Sequence, residues 1–217
     1  YDQAMLALAY TEAFQITNDS FYQKVVEEIL FYVQRDMTDK RGGFYSAEDA
    51  DSEGEEGLFY LWTVEELKEN LSSADAELLI ETFNIELSGN YIDEALGKKT
   101  LKNILYLNKP KANNKINQIL NDLYTVREKR IHPLKDDKIL TDWNGLMIAA
   151  FAKAGDVFNS DDYIKQAENS AQFILKNLTD KNGRLLKRYR NGKSGIDSHL
   201  DDYAFFIWGL LELYEAT

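Results

Sequence analysis

The chain has no cysteine and only two prolines and two histidines among its 217 residues. The lack of cysteine excludes disulfides, thiolate catalysis and thiolate zinc sites within this sequence. No apolar run approaches the roughly 18 residues that span a bilayer, and the first residues lack a signal-peptide pattern. Positive charge is scarce, and the net charge is −12. Because nucleic acids and anionic membranes bind basic faces, we expect neither partner and predict a soluble, cytoplasmic chain.

Apolar residues recur every three or four positions through the first 40 residues, which is typical of two amphipathic helices. A turn at residues 18–20 separates these helices, and the same pattern returns at a constant offset of 141 residues. Ten residue pairs are identical at that offset, from Ala9 and Ala150 to Gly42 and Gly183. The pattern indicates a repeated helix-turn-helix unit. A third copy begins at Asp202.

Helical hairpins with apolar faces on both members must stack side by side or close into a ring. Short extended pieces after alternate helices favour the ring. We therefore predict an all-α fold of helical hairpin repeats, forming part of an α/α (six-hairpin) toroid, with a short β-hairpin near residues 43–62. Pro110 and Pro133 fall outside the predicted helices. We expect residues 1–217 to be one partial toroid domain, a fragment of a longer protein.

The segment 42–62 carries six carboxylates within nine residues, between two aromatic runs. Glycosidic chemistry needs two carboxylates in different protonation states, and crowded like charges can separate the pKa values of desolvated members. We therefore nominate Asp49 as catalytic, with Glu48, Asp51 and Trp62 contacting a substrate. The alternative is a solvated acidic hairpin that is turned by its glycines.

The order Asp49, Asp51, Glu53, Gly54 copies the first half of an EF-hand loop. The second half differs, because Tyr60 stands where a bidentate glutamate closes the calcium shell. We predict no metal and no cofactor, with calcium at the Asp49-Asp51-Glu53 loop as the alternative.

Asp142 and Asp202 stand at the starts of two repeat helices, each followed by an aromatic residue. An aspartate in this position accepts hydrogen bonds from unpaired backbone N–H groups, which alone explains it. In α/α toroids that this chain resembles, the loops that lead into the inner helices line the mouth of the central cavity, which implies that these aspartates could face a sugar. We nominate Asp142 and Asp202 as further catalytic residues, with Trp143, His199 and Tyr203 contacting a substrate.

Three strings carry a family resemblance: SAEDADSEGEEGLFYLW (46–62), LTDWNGLMIAAFAKAG (140–155) and LDDYAFFIWGLLELYEAT (200–217). They resemble thioredoxin domain-containing proteins typified by spermatogenesis-associated protein 20. The resemblance implies an N-terminal thioredoxin-like domain, not included here, before an α/α toroid similar to N-acylglucosamine 2-epimerases and six-hairpin glycosidases. It also implies a sugar ligand, and this chain would be the middle of the toroid. Epimerases of that fold use a histidine pair, whereas here only His199 precedes a predicted site element.

Two functions from different classes follow. The first is a carbohydrate-active domain, glycosidase- or epimerase-like. The second is a non-catalytic helical toroid that binds a protein or another ligand, including the missing thioredoxin-like domain. Catalysis requires two carboxylates to converge in a pocket with separated pKa values, whereas docking allows them to face outward.

Overall fold

The computed structural model describes residues 1–93, 97–107 and 114–217. Within these ranges eight helices are present: α1 Asp2–Thr17, α2 Ser20–Asp36, α3 Val64–Asn70, α4 Ser73–Thr82, α5 Asn114–Arg127, α6 Thr141–Phe158, α7 Asp161–Asn177 and α8 Leu200–Ala216. The strands are short: β1 Ala47–Glu48, β2 Asp51–Ser52, β3 Glu55–Glu56, β4 Trp62–Thr63, β5 Ile92–Asp93, β6 Lys98–Lys99, β7 Lys102–Asn103, β8 Lys135–Asp136, β9 Ile139–Leu140, β10 Leu186–Arg190 and β11 Lys193–Asp197. The predicted all-α class built from helical hairpins is confirmed. Pro110 lies outside the described residues, and Pro133 lies between α5 and β8.

The chain divides into two compact units. The first unit comprises residues 1–47 and 135–217, and the second comprises residues 48–134. The single toroid domain predicted for residues 1–217 stays a prediction. No helix within the described ranges is long and apolar enough to cross a bilayer.

The sequence repeat corresponds to two helical hairpins of the first unit, α1–α2 and α6–α7. Asn18 and Asn159 end the first helix of each hairpin in the left-handed conformation, with φ of 55° and 53°. Asp19 and Ser160 then cap the second helix by accepting a hydrogen bond from a backbone N–H in its first turn. The same local chemistry thus builds the same turn twice, which confirms the repeat.

Helix α6 lies at the centre of the first unit and packs on α1, α7 and α8. Its contact with α8 is backbone to backbone. A Cβ atom added to Gly145 would lie 2.5 Å from the main chain of Phe205 and Phe206. A Cβ atom added to Gly209 would lie 2.5 Å from the carbonyl oxygen of Gly145. Only glycine allows α6 and α8 to approach this closely.

The connection after α2 is held by a charged network around Asp39. Its Oδ1 accepts hydrogen bonds from the backbone N–H and the Nε of Arg41, at 2.9 and 2.7 Å. Its Oδ2 accepts from Nη2 of Arg41 and from the hydroxyl of Tyr45, both at 3.0 Å. Hydrogen bonding from Arg41 lowers the pKa of Asp39 to about 2, although burial opposes the shift.

We expect this network to make the stability of the protein depend on pH in the acid range. A carboxylate whose folded-state pKa is lowered stabilises the fold above its unfolded pKa, and this contribution is lost as pH falls through the folded value. Between about pH 5 and pH 2, the free energy of unfolding of the wild type should fall by about 2 kcal/mol more than that of Asp39→Asn. Urea unfolding at several pH values measures the difference, and parallel pH profiles would contradict the prediction.

The second unit packs α3, α4 and α5 around a core that includes Trp62. Helix α3 begins with a capping box: the Thr63 hydroxyl accepts from the backbone N–H of Glu66, and the Glu66 carboxylate accepts from the backbone N–H of Thr63. Strands β2 and β3 form the predicted hairpin, which is shorter than the range 43–62. Arg130 lies over the Trp62 ring, with 4.1 Å between its Cζ and the ring centroid.

Candidate functional site

Two of the nominated carboxylates meet at a single lysine in the first unit. Asp142 lies in the first turn of α6, Asp202 lies in the first turn of α8, and Lys187 projects from β10. The Nζ of Lys187 lies 2.8 Å from Oδ2 of Asp142 and 3.4 Å from Oδ1 of Asp202. The cluster therefore joins the starts of two helices to a strand.

The carboxylate of Asp202 is buried and forms its hydrogen bonds within the protein. Its side chain is 0% exposed, and Oδ1 accepts a hydrogen bond of 3.2 Å from the backbone N–H of Asp142. Its Oδ2 accepts a hydrogen bond of 2.7 Å from the backbone N–H of His199, which caps α8. With both oxygens engaged and no exposed surface, Asp202 positions its neighbours and does not reach a ligand from solvent. This is the capping role that the sequence offered as the alternative.

Lys187 remains an ammonium group in this environment. Burial by itself lowers the pKa of Lys187, but the hydrogen bond and charge of Asp142, together with the charge of Asp202, outweigh it. The net result is a raised pKa. A lysine nucleophile needs the opposite shift, so Lys187 serves as a fixed positive charge.

The residues of the string Asp142-Trp143-Asn144-Gly145 make different contacts. The carboxylate of Asp142 binds Lys187, and its Oδ1 also accepts a hydrogen bond of 2.9 Å from the backbone N–H of Trp143. The buried amide of Asn144 binds both the N–H and the C=O of Phe44, at 2.7 and 3.0 Å. Gly145 allows α8 to approach. The first two turns of α6 thus contact Lys187 of β10, Phe44 and helix α8.

An apolar cavity of about 330 Å³ lies beside this string. It is lined by Tyr1, Met5, Trp143, Leu146, Phe205 and Trp208. The rings of Tyr1 and Trp143 are 5.1 Å apart at an angle of 57°, and the indole N–H of Trp208 donates to Glu212. Four of the six lining side chains are aromatic. Such a cavity suits the flat apolar face of a small ligand.

The other residues nominated around α8 lie at the edge of the ion cluster. The side chain of His199 is 69% exposed, with Nδ1 3.9 Å from Oδ2 of Asp202. The hydroxyl of Tyr203 accepts a hydrogen bond of 3.1 Å from the backbone N–H of Leu185. Tyr203 thereby binds the residue that precedes β10, the strand from which Lys187 projects.

The nominated residues of the acidic segment belong to the second unit. Asp49 and Asp51 are exposed, and Oδ1 of Asp49 accepts a hydrogen bond of 3.1 Å from the backbone of Asp51. Glu48 accepts a hydrogen bond from the hydroxyl of Tyr60. Trp62 is only 2% exposed and lies under Arg130, so its ring has no open face for a sugar.

Across residues 1–93, 97–107 and 114–217, no three acidic or histidine side chains come together in a way that could hold a metal ion. The calcium alternative at the acidic loop and the expected lack of a cofactor stay predictions.

Sequence reasoning missed Lys187 and the cavity residues Phe205 and Trp208. A signal existed for Lys187, because it is two residues from the buried Tyr189 and therefore lies on the same face of β10. A lysine on the buried side of a strand needs a carboxylate partner. Phe205 and Trp208 are three residues apart on α8 and share one helix face, as Trp143 and Leu146 do on α6.

Comparison with curated proteins identifies relatives over the full chain. Human spermatogenesis-associated protein 20 is 35% identical over 256 aligned residues, which cover 100% of this chain and 33% of the human protein. An uncharacterized Caenorhabditis elegans protein is 31% identical over 255 residues, covering 100% of this chain and 35% of that protein. The chain thus spans about one third of the length of these relatives. The resemblance predicted from the sequence is confirmed, and no protein-family model matches the chain.

Two solved structures give weaker likenesses. A family 105 glycoside hydrolase from C. acetobutylicum is 16% identical with a TM-score of 0.34, over 97% of this chain and 52% of the hydrolase. Cellobiose 2-epimerase from Spirochaeta thermophila is 13% identical with a TM-score of 0.30, over 98% of this chain and 52% of the epimerase. TM-scores this low carry no argument about the function of this chain.

Proposed function

We propose that this homologue of spermatogenesis-associated protein 20 is the carbohydrate-binding part of an α/α toroid domain, with the aromatic cavity beside Asp142 as its sugar site. The observation that supports the proposal is that the aromatic cavity and the Asp142 carboxylate are joined through one residue, Trp143. Trp143 forms a wall of the cavity, and its backbone N–H is bonded to the carboxylate of Asp142. An aromatic wall and a fixed carboxylate are the two kinds of group that a sugar ring needs.

A sugar has an apolar face of C–H groups and a rim of hydroxyls. The indoles of Trp143 and Trp208 offer large apolar surfaces at low cost in conformational entropy. Asp142 retains some exposure and forms an ion pair with Lys187, and its carboxylate oxygens can accept hydrogen bonds from hydroxyl groups. A charge-assisted bond of this kind orients the ring, while stacking supplies most of the affinity.

The cluster does not provide the carboxylate pair of a glycosidase. Asp142 and Asp202 contact the same ammonium group, but Asp202 has no surface from which to donate or accept a proton. The imidazole of His199 lies at the exposed edge of the cluster, whereas the epimerases that the sequence resembles use a histidine pair. A glycosidase- or epimerase-like activity would need a further acid or base beside this cluster. The catalytic role nominated for Asp49, in the second unit, stays a separate prediction.

The test is a titration of the protein with neutral mono- and disaccharides, in which binding is monitored by tryptophan fluorescence and by calorimetry. We expect Trp143→Ala to weaken binding by about tenfold or more, because stacked aromatic anchors dominate such sites. Asp142→Asn should weaken it by about threefold to tenfold, since one charge-assisted hydrogen bond is lost.

Two matched variants control for general damage. Tyr214→Ala removes an aromatic side chain of α8 that is 80% exposed and outside the cavity lining. Asp201→Asn removes the neighbouring exposed charge. Both should bind sugars as the wild type does, and Trp143→Phe, which keeps a ring, should retain most of the affinity. Failure to bind any sugar, or equal losses in Trp143→Ala and Tyr214→Ala, would overturn the proposal.

A further inference from the structure

A second cavity of the first unit, about 420 Å³, has a mainly polar lining. It lies where the connection after α2 packs against α7. The lining residues are Gln34, Thr38, Asp39, Lys40, Arg41, Gly42, Gln166 and Asn169. None of them lines the aromatic cavity or touches the Asp142 cluster.

Asp39 and Arg41 form an ion pair, so their opposite charges compensate each other. All the hydrogen bonds from Arg41 to the Asp39 carboxylate are at 3.0 Å or less. The guanidinium also donates to the hydroxyl of Tyr189 and lies over its ring. This pair forms a rigid neutral wall and leaves Lys40 as the uncompensated charge of the cavity.

The remaining polar groups have unused hydrogen-bonding capacity. The Nε2 atom of Gln166 is buried and has no hydrogen-bond partner. Within the described part of the chain, the side chains of Gln34, Lys40 and Asn169 also have no hydrogen bond or ion pair. Gln166 Nε2 is the buried member of this set, whereas Gln34 and Asn169 are partly exposed and Lys40 is exposed. The cavity therefore offers a ligand one buried unpaired donor and three accessible polar side chains.

The second copy of the repeat offers an internal comparison. The turn that contains Gly42 is pressed against α7, so that a Cβ atom on Gly42 would lie 2.8 Å from the carbonyl oxygen of Asn169. The corresponding turn of the second copy has Gly183, around which no atom lies within 4 Å of such a Cβ position. The same local sequence therefore forms a closed wall in one copy and an open turn in the other.

We propose that this cavity binds a small polyhydroxy carboxylate, with the carboxylate on Lys40 and a hydroxyl oxygen accepting from Gln166. The ammonium group selects a negative charge, which is notable in a chain whose net charge is −12. The amides of Gln34 and Asn169 both donate and accept, as the hydroxyls of such a ligand do. The site is independent of the aromatic cavity.

The test uses sodium gluconate and sorbitol, which differ only in that gluconate has a carboxylate where sorbitol has a hydroxymethyl group. Both are acyclic and present no ring face to the aromatic cavity. At constant ionic strength, gluconate should shift the side-chain amide NMR signals of Gln166 and Asn169 in a saturable way, and sorbitol should bind at least about tenfold more weakly. Trp143→Ala should leave gluconate binding unchanged, which separates this proposal from the sugar site.

Matched variants locate the site. Lys40→Gln and Gln166→Met should each weaken gluconate binding by about tenfold. Lys181→Gln, the equivalent lysine of the second copy, and Gln172→Met, an exposed glutamine of the same helix, should not. Three results would overturn the proposal: equal binding of gluconate and sorbitol, equal effects of Lys40→Gln and Lys181→Gln, or a Gln166→Met variant that melts at a higher temperature and binds gluconate unchanged.

Discussion

Asp202→Ala is expected to lower the free energy of unfolding by about 3–5 kcal/mol, the cost of removing one partner from a buried charged network. The substitution deprives Lys187 of one of its two carboxylates. It also leaves the backbone N–H groups of Asp142 and His199 without their acceptor. Urea unfolding followed by circular dichroism measures the loss.

Asp201→Ala is the matched control. Asp201 is adjacent in the first turn of α8 but exposed, so its loss should cost less than about 1 kcal/mol through the helix dipole alone. Lys187→Met should also destabilise the protein, and the double variant Asp202→Ala/Lys187→Met should cost less than the sum of the two single variants. Equal effects of Asp201→Ala and Asp202→Ala would show that the cluster does not hold the starts of α6 and α8.

Gly145→Ala is expected to destabilise the protein by about 2 kcal/mol or more, although alanine is the better helix former by about 1 kcal/mol. The new methyl group would lie 2.5 Å from backbone atoms of Phe205 and Phe206, which cannot rotate away as a side chain can. The two helices must separate, and the aromatic cavity, which both helices line, must change as well. The loss should therefore appear in both urea unfolding and sugar titration.

Gly195→Ala provides the control, because a Cβ atom there meets nothing within 4 Å. It should leave the free energy of unfolding within about 0.5 kcal/mol of the wild type. Since the Cβ added at Gly209 would strike the carbonyl oxygen of Gly145, Gly209→Ala should be destabilising too. The two helix substitutions should be less than additive, because once the helices have separated the second methyl group finds room. Full additivity would contradict a single shared contact.

The hairpins and their turns were predictable because they depend on local sequence. The apolar spacing of α2 and α7, the asparagines that end α1 and α6, and the capping box of Thr63 each involve residues only a few positions apart. Because the sequence repeats at a constant offset, a helix predicted in one hairpin could also be predicted at the equivalent position of the other. Local propensity and periodicity are sufficient for elements of this kind.

The site was predictable only in part. Asp142 and Trp143 were nominated from their position at the start of a repeat helix, but the partner of Asp142 is a lysine 45 residues away in β10. A single sequence does not show which of its many lysines meets a given carboxylate. Trp62 was nominated from the aromatic run that contains it, yet that ring is covered by Arg130, whose guanidinium also binds the backbone carbonyls of Phe59 and Leu61. Burial of this kind depends on distant residues, so composition does not reveal it.

The open turn around Gly183 has a practical consequence for working with this protein. In a repeated sequence, the packing around each copy of a turn is set by the neighbours of that copy. The turn at Gly183 lacks the close packing that encloses Gly42. Residues 181–183 are therefore a suitable position for inserting a peptide tag or attaching a fluorescent label, since exposed turns tolerate such additions. The same insertion at residues 40–42 would displace the backbone of α7.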